Sequence, residues 1–132
     1  MAEATASGVR RNRILVVDDE EGMRHMLSVM LSRHGYDVET AENGIAALES
    51  LRSGAIDIVL ADIKMPELDG LGLLEKITEA KFPVTVIMMS AFADIETAIV
   101  ALKSGATDYV SKPFKADEVL LKIRMAQERV AL

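Results

Sequence analysis

Short runs of apolar residues recur along the chain at the length of β-strands. Residues 14–17, 56–60 and 84–89 are mostly apolar, as expected of strands that are covered on both faces of a sheet. Residues 36–40 instead alternate between apolar and polar positions, which favours a strand at the sheet edge. Residues 107–111 predict a short fifth strand. The pattern therefore predicts a sheet of five strands with a largely buried centre.

The segments between these strands carry apolar residues at helical spacing. Each segment has one stripe at intervals of three and four residues, which predicts an amphipathic helix. Gly35, Gly54 and Gly105 follow three of the stripes, where helices commonly end, and Asp94 and Asp117 are suited to be N-terminal caps. The stripes consist of Met23, Met26, Leu27, Met30 and Leu31; Ile45, Leu48 and Leu51; Leu71, Leu74 and Ile77; Ile95, Ile99 and Leu102; and Val119, Leu120, Ile123 and Val130.

Strands that alternate with helices predict a parallel sheet with helices on both faces. Right-handed crossover connections leave few possible topologies. Five strand–helix units of this size favour an α/β fold of the flavodoxin-like class, in which a five-stranded parallel sheet of order 2-1-3-4-5 is flanked by five helices. We expect residues 1–11 to form a flexible N-terminal tail and residues 12–132 to form one folded domain.

Composition narrows the possible functions. The chain has 132 residues, no cysteine and a net charge of −6 at pH 7. The lack of cysteine excludes disulfides and thiolate metal sites, and the acidic balance argues against direct binding to nucleic acid. No apolar run approaches the roughly 20 residues needed to span a bilayer, and residues 1–8 lack the apolar region of a signal peptide. We therefore expect a cytoplasmic protein that does not bind membranes.

Reactive polar residues stand at the ends of four predicted strands. Asp18 and Asp19 follow the first strand, Asp62 follows the third, Ser90 the fourth and Lys112 the fifth. Ligands of open α/β sheets bind at the carboxyl ends of the strands, so we expect these side chains at one edge. Mg²⁺ prefers oxygen ligands, a carboxylate can attack phosphorus, and a lysine ammonium binds phosphoryl oxygens. The set predicts a site for a divalent cation and a phosphoryl group.

Each residue also has a simpler structural interpretation. A single aspartate at a strand end is often a cap or turn residue, Lys112 could be an exposed strand-end lysine, and Ser90 could begin a loop. Three carboxylates that converge beside a serine and a lysine favour the combined site. Within it, Asp62 is the candidate nucleophile and the Ser90 hydroxyl could bond a phosphoryl oxygen. Tyr109 could report that bond by changing its exposure, or it could simply be a half-buried strand residue.

Four motifs together resemble the receiver domain of two-component response regulators, which belongs to the CheY-like superfamily. The resemblance covers residues 13–127, nearly the whole chain. As a set the motifs are specific, although each is short. They are Val16-Val17-Asp18-Asp19-Glu20, Asp62-Ile63-Lys64-Met65-Pro66-Glu67-Leu68-Asp69-Gly70, Ser90-Ala91 and Lys112-Pro113-Phe114.

The resemblance implies a phosphoacceptor with a metal cofactor. Asp62 would accept a phosphoryl group from the phosphohistidine of a partner sensor histidine kinase. Mg²⁺ or Mn²⁺ would bind Asp19, Asp62 and the backbone carbonyl of Lys64, whereas Asp18 would act mostly through water. The chain would assist only its own phosphorylation and dephosphorylation, and would not otherwise be an enzyme.

The resemblance also implies a conformational switch. Lys112 would bind the phosphoryl group, and the Lys112–Pro113 peptide bond would be cis. Ser90 and Tyr109 would form a switch pair whose movement changes the surface of residues 95–111. An effector domain or a downstream protein would bind that surface.

Residues 90–98 and 103–109 are similar to receivers of NtrC-type transcription activators. That similarity implies a role in transcription regulation and allows a homodimer, formed on phosphorylation through the fourth and fifth helices. The apolar Ile95, Ile99 and Leu102 fit such a contact, but burial in the monomer core would explain them equally well.

Phe92 could flank the path of attacking water and prolong the phosphorylated state.

Two other function classes stay open from the residues alone. One is a phosphohydrolase with an aspartyl-phosphate intermediate, although such enzymes typically carry D-x-D-x-[TV] after the first strand, where this chain has Asp18-Asp19-Glu20-Glu21-Gly22. The other is a constitutive interaction domain that keeps the fold without the switch. The complete set of reactive residues favours the phosphoacceptor over both.

Overall fold

The computed structural model describes residues 13–91 and 95–131, with side chains up to residue 128. The predicted tail, the cap at Asp94 and the role of Phe92 lie outside these residues. Strands and helices alternate along the chain: β1 (Arg13–Val17), α1 (Glu21–Arg33), β2 (Asp37–Ala41), α2 (Gly44–Arg52), β3 (Ile58–Asp62), α3 (Gly70–Ala80), β4 (Thr85–Ala91), α4 (Ile95–Lys103), β5 (Asp108–Lys112) and α5 (Ala116–Ala131). Over the described ranges, no helix has the length and apolarity needed to cross a membrane.

The five strands form one parallel sheet in the order β2-β1-β3-β4-β5. This topology confirms the predicted flavodoxin-like fold. The alternating strand β2 lies at the sheet edge, as its sequence pattern indicated. The apolar strands β1 and β3 lie at the centre, where helices cover both faces.

Each face of the sheet carries its own hydrophobic core, because successive side chains of a strand point to opposite faces. On one face, Leu15, Val59 and Met88 pack with α2, α3 and Ala101 of α4. On the other, Ile14, Leu60 and Ile87 pack with α1 and α5. The two cores hold the central strands in register and so fix where their carboxyl ends meet.

Several predicted element limits were wrong by one or two residues. Ile56 and Asp57 precede β3 instead of beginning it. Asp62, Ser90 and Lys112 were placed after their strands, but all three are strand residues. The strand pairing continues one or two residues beyond the apolar run in each case, because backbone pairing does not depend on side-chain polarity.

Three predicted helical stripes and one predicted cap differ from the structure. Met26, Ile45, Ile95 and Ile99 belong to predicted apolar stripes, but their side chains are exposed. Asp117 lies inside the first turn of α5 and is not its cap. Instead, Glu118 accepts a hydrogen bond from the amide of Lys115 at 2.8 Å, which satisfies a donor at the helix start.

Candidate functional site

The carboxyl ends of four strands bring the predicted site residues to one edge of the sheet. Asp18 follows β1 directly, and Asp62 is the last residue of β3. In the neighbouring strands, Ser90 pairs with Ser111 and Ala91 pairs with Lys112. The parallel register therefore places the carboxylates, the hydroxyl and the ammonium along a single rim.

Lys112 joins two of the carboxylates. Its Nζ donates hydrogen bonds to Asp18 Oδ2 at 3.0 Å and to Asp62 Oδ2 at 3.1 Å. The Asp18 side chain is fully buried, while those of Asp62 and Lys112 are 13% and 19% exposed. Breaking a buried pair leaves an uncompensated charge, so the lysine balances charges that would otherwise destabilise the fold.

Asp18 is bonded through every polar atom it carries. Its amide donates to the Ala41 carbonyl of β2 at 3.2 Å, and its Oδ1 accepts from the Glu20 amide at 2.9 Å. Its backbone carbonyl accepts from Nη1 of Arg24 at 2.7 Å, and Lys112 occupies Oδ2. This network makes Asp18 the most constrained carboxylate of the site, whereas the next residue, Asp19, is exposed.

The protonation of Asp62 reflects competing effects. Burial raises the pKa of the Asp62 carboxyl above its ordinary value, and the charge of Asp18 adds to this rise. Lys112 lowers the same pKa through its hydrogen bond and its charge, and the amide of Lys64 lowers it further. A carboxylate with a raised pKa is more basic than usual, which favours it as a nucleophile once it is ionised.

The ammonium of Lys112 keeps its charge for a related reason. Burial alone would lower its pKa, but the hydrogen bonds and negative charges of Asp18 and Asp62 outweigh burial, and the pKa is raised. A permanent positive charge therefore lies beside Asp62. Such a charge offsets negative charge that arrives on a phosphoryl group.

Three carboxylates are grouped closely enough to hold a metal ion. Oxygens of Asp18, Asp19 and Asp62 lie within 4.8 Å of one another. All of these donors are oxygens, and hard cations such as Mg²⁺ prefer this chemistry while retaining several waters. The residues therefore fit a divalent cation, which would also relieve the repulsion among the carboxylates.

A cavity of about 240 Å³ opens over these residues and is lined by Asp19, Glu20, Asp62, Ile63, Lys64, Ser90, Ala91 and Lys112. Ser90 is only 2% exposed, and its hydroxyl has no hydrogen-bond partner among the described residues. A buried unpaired hydroxyl is costly unless a ligand or a moving group satisfies it. The Ser90 hydroxyl is therefore an available donor in the cavity wall.

The loop that carries Asp62 into α3 is tightly anchored. Asp69 caps α3 by accepting from the Gly72 amide at 2.8 Å, and the Gly70 amide donates to the Ile63 carbonyl at 2.7 Å. A Cβ on Gly70 would collide with the Asp62 carbonyl and the Met88 side chain. Only glycine fits at this close approach, which fixes the backbone immediately after the Asp62 strand.

On the β4–β5 side of the rim, the surrounding residues are less tightly packed. Tyr109 is partly buried against the core and does not line the cavity. Helix α4, which begins shortly after Ser90, leaves Ile95 49% exposed and Ile99 45% exposed. Burial in the monomer core, one of the two explanations left open, is therefore wrong for these isoleucines, whereas Leu102 is partly buried against the core.

The structure brings together all the predicted carboxylates with Lys112 and Ser90, and the Lys112–Pro113 bond is cis. Two contacts of Asp18, with Arg24 and with the Glu20 amide, were not predicted from the sequence. A partial signal existed for Arg24, because it lies six residues after Asp18 in the first turns of a predicted helix. From there a long side chain can reach back to the preceding strand end.

Comparison with known proteins agrees with this geometry. Residues 14–124 match the family described as the response regulator receiver domain. Regulatory protein AtoC of Escherichia coli (strain K12) is 44% identical over 115 residues, which are 87% of this chain and 25% of that protein. DNA-binding transcriptional regulator NtrC of the same strain is 39% identical over 118 residues, or 89% of this chain and 25% of that protein.

Solved structures show the same similarity. The receiver domain of NtrX from Brucella abortus superposes with a TM-score of 0.83 at 39% identity, covering 87% of this chain and 98% of that one. A response regulator receiver domain protein from Clostridium thermocellum gives a TM-score of 0.85 at 32% identity, covering 90% and 96%. This chain spans about a quarter of the length of AtoC and NtrC. It belongs to the receiver domain family of two-component response regulators, with NtrC-type activators among its relatives.

Proposed function

We propose that the chain is a phosphorylation-dependent switch in which Asp62 accepts a phosphoryl group from the phosphohistidine of a sensor histidine kinase. A carboxylate oxygen of Asp62 forms a bond to phosphorus while the phosphorus–nitrogen bond breaks. The electron pair of that bond stays with the imidazole nitrogen. The product is an acyl phosphate on Asp62, which water later hydrolyses.

One observation carries the proposal: Lys112 contacts both Asp18 and Asp62, and it lines a cavity together with Asp62, Asp19 and Ser90. The cavity thus offers a nucleophile, a fixed cation and a hydrogen-bond donor within one rim. Lys112 would release part of its contact with Asp62 to bind a phosphoryl oxygen, and Ser90 would donate to another. Besides the nucleophile, phosphoryl transfer depends largely on positioning and on neutralisation of the charge on the transferred group.

The proposed cofactor is Mg²⁺ or Mn²⁺. Asp19, Asp62 and the Lys64 carbonyl would hold it, with Asp18 acting mostly through water. When bound, the cation supplies charge neutralisation for the incoming phosphoryl oxygens. The close grouping of three carboxylates supports this assignment, since their mutual repulsion favours a cation among them.

The proposed output is a population shift of the α4–β5 surface. Ser90 would move toward the phosphoryl group, Tyr109 would swing inward, and residues 95–111 would rearrange. The light burial of α4 supports this, because Ile95 and Ile99 already face solvent. An effector domain or a downstream protein would bind this surface, and a homodimer could form there on phosphorylation.

The wider setting is also proposed from the relatives. We expect a cytoplasmic regulator that controls transcription through an effector domain, without direct contact between this domain and nucleic acid. The net charge of −6 supports the last point, because binding to a phosphate backbone needs a basic face. The domain would act on its own acyl phosphate and would not turn over external phosphomonoesters.

The decisive experiment is intact mass measurement after incubation with acetyl phosphate and Mg²⁺. The parent protein should gain the mass of one phosphoryl group, and the gain should disappear with EDTA. Asp62→Asn should show no adduct. Asp37→Asn is the matched control, because it removes the same charge from a largely exposed side chain on the edge strand β2.

An adduct that persists in Asp62→Asn would assign the acceptor to another residue. A folded parent that stays unmodified by acetyl phosphate and by a panel of phosphorylated histidine kinases would support a constitutive interaction domain. Steady release of product from a generic phosphomonoester would instead support the phosphohydrolase.

A further inference from the structure

Arg24 makes a contact that links helix α1 to the carboxylate cluster. Its guanidinium Nη1 donates a hydrogen bond to the backbone carbonyl of Asp18 at 2.7 Å, and the arginine is only partly exposed. Arg24 does not line the cavity, so it would act through Asp18 and not on a ligand directly. The geometry points to Arg24 as a positioning residue for metal binding, an inference that rests on the proposed function.

The contact matters because of where the Asp18 carbonyl lies. The residue follows the last ladder pair of β1, in which Val17 pairs with Ala41 and Ala61. Beyond that pair, the chain turns into α1 at Glu21. The orientation of the Asp18 carbonyl sets the plane of the Asp18–Asp19 peptide, and therefore the direction in which the Asp19 side chain leaves the backbone.

The position of the Asp19 side chain depends on the Arg24 hydrogen bond more than the position of the Asp18 side chain does. The Asp18 carboxylate is already held by Lys112 and by the Glu20 amide. Asp19 is exposed, and its position near Asp62 follows from the backbone of the turn. Without a metal, the three carboxylates repel one another, so a free turn would let Asp19 move away. Arg24 opposes this movement, because a hydrogen bond from a charged donor is stronger than one between neutral groups.

Two effects of Arg24 on metal affinity have opposite signs, and this makes the inference testable. As an anchor, Arg24 strengthens binding by keeping the carboxylates in place before the ion arrives. As a positive charge, it weakens binding by repelling the cation. If anchoring dominates, removal of Arg24 weakens metal binding, whereas a surface charge of no positional role would leave it unchanged or slightly tighter when removed.

The experiment is titration of the unphosphorylated protein with Mn²⁺, followed by the electron paramagnetic resonance signal of the free ion. Arg24→Met keeps the aliphatic stem but removes the donor and the charge. Arg33→Met is the matched control, because Arg33 lies exposed in the last turn of the same helix. We expect the Kd of Arg24→Met to rise about tenfold, as is usual when an outer-shell partner of a metal ligand is lost. The Kd of Arg33→Met should stay at or slightly below the parental value.

Arg24→Gln is measured beside these variants, because it retains an amide donor without the charge. Its Kd should lie between those of Arg24→Met and the parent, whereas a purely electrostatic role predicts equal Kd values for the two Arg24 variants, at or below that of the parent. Should Arg24→Met fail to fold, a Kd for Arg24→Gln above that of Arg33→Met supports the anchor. Equal affinities for the Arg24 and Arg33 variants overturn it.

The parent titration separates this inference from the function on which it rests. A parent that binds no Mn²⁺ overturns the proposed metal site, and with it the role of Arg24. A parent that binds Mn²⁺ and accepts phosphate, with Arg24→Met as tight as the parent, overturns the role of Arg24 alone.

Discussion

Two strand–helix units flank the candidate site, and they are packed very differently. The β3–α3 unit carries Asp62, and α3 buries Leu73, Leu74 and Ile77 against the sheet. The β4–α4 unit carries Ser90, and the buried residues of α4 are Ala98 and Ala101, within the part of the helix that the structure describes. The proposed acceptor thus lies on a well-packed unit and the proposed switch residue on a lightly packed one.

Under the proposed function, this difference would let one fold combine a fixed acceptor site with an output surface that can move. A helix that buries leucine and isoleucine is held by several times more apolar area than one that buries alanine. Polar contacts follow the same division, because Asp62 is bonded to Lys112 while the Ser90 hydroxyl is unpaired among the described residues. Elements that move are drawn from the less stable parts of a structure. Variants of the site and of its two flanking units test this difference in packing.

The largest expected effect comes from equal truncations on the two helices. Leu74→Ala should lower the free energy of unfolding by about 2–5 kcal/mol, because it leaves a cavity under α3. Ile99→Ala should change it by no more than about 0.5 kcal/mol, because the side chain is already half exposed. Urea unfolding followed by circular dichroism measures both. A cost for Ile99→Ala that matches Leu74→Ala would remove the contrast.

A second test removes the positive charge of Lys112 from beside Asp18 and Asp62. Lys112→Met leaves the carboxylates of Asp18 and Asp62 unpaired, and should lower the free energy of unfolding by about 3 kcal/mol. Saturating Mg²⁺ should recover part of this loss, because the ion replaces the missing charge. Stability that is unchanged with and without Mg²⁺ would show that the buried charges need no compensation.

A third test removes one carboxylate instead. Burial raises the Asp62 pKa, so its ionised form destabilises the fold above that pKa and its neutral form does not. Asp62→Asn should therefore be more stable than the parent by about 1 kcal/mol at neutral pH. As pH falls through the raised pKa the parent becomes protonated, and the difference should close. Thermal unfolding at several pH values measures the difference, and a variant less stable than the parent at neutral pH would contradict the assignment.

The smallest effect on stability is expected at Ser90, the proposed switch residue. Ser90→Ala should change the free energy of unfolding by no more than about 0.5 kcal/mol, because the lost hydroxyl has no partner in the described part of the chain. After phosphorylation, however, the amide hydrogen exchange of α4 should change in the parent and in Ser90→Thr, but not in Ser90→Ala. An α4 response that survives in Ser90→Ala would assign the coupling to another residue.

Much of the fold could be predicted because the signals are local. A run such as residues 14–17 is apolar in every position, which is typical of a short strand covered on both faces. Errors arose where the apolar pattern and the backbone pairing end at different residues, as at Asp62, or where a stripe is wider than its packed face, as at Met26. Asp117 was misassigned because the cap of α5 uses a backbone donor and the Glu118 side chain, a pairing set by the path of the chain.

The candidate site also has features that could be predicted from the sequence and features that could not. Asp18, Asp19, Asp62, Ser90 and Lys112 could be named from sequence because each stands at a strand end, and parallel strands of a known order bring their carboxyl ends to one edge. The burial of Asp18 beside an exposed Asp19, the burial of the Ser90 side chain and the reach of Arg24 to a carbonyl were decided only by the tertiary structure. Strand order and periodicity are properties of the chain, whereas burial and side-chain partners depend on how separate segments pack around each atom.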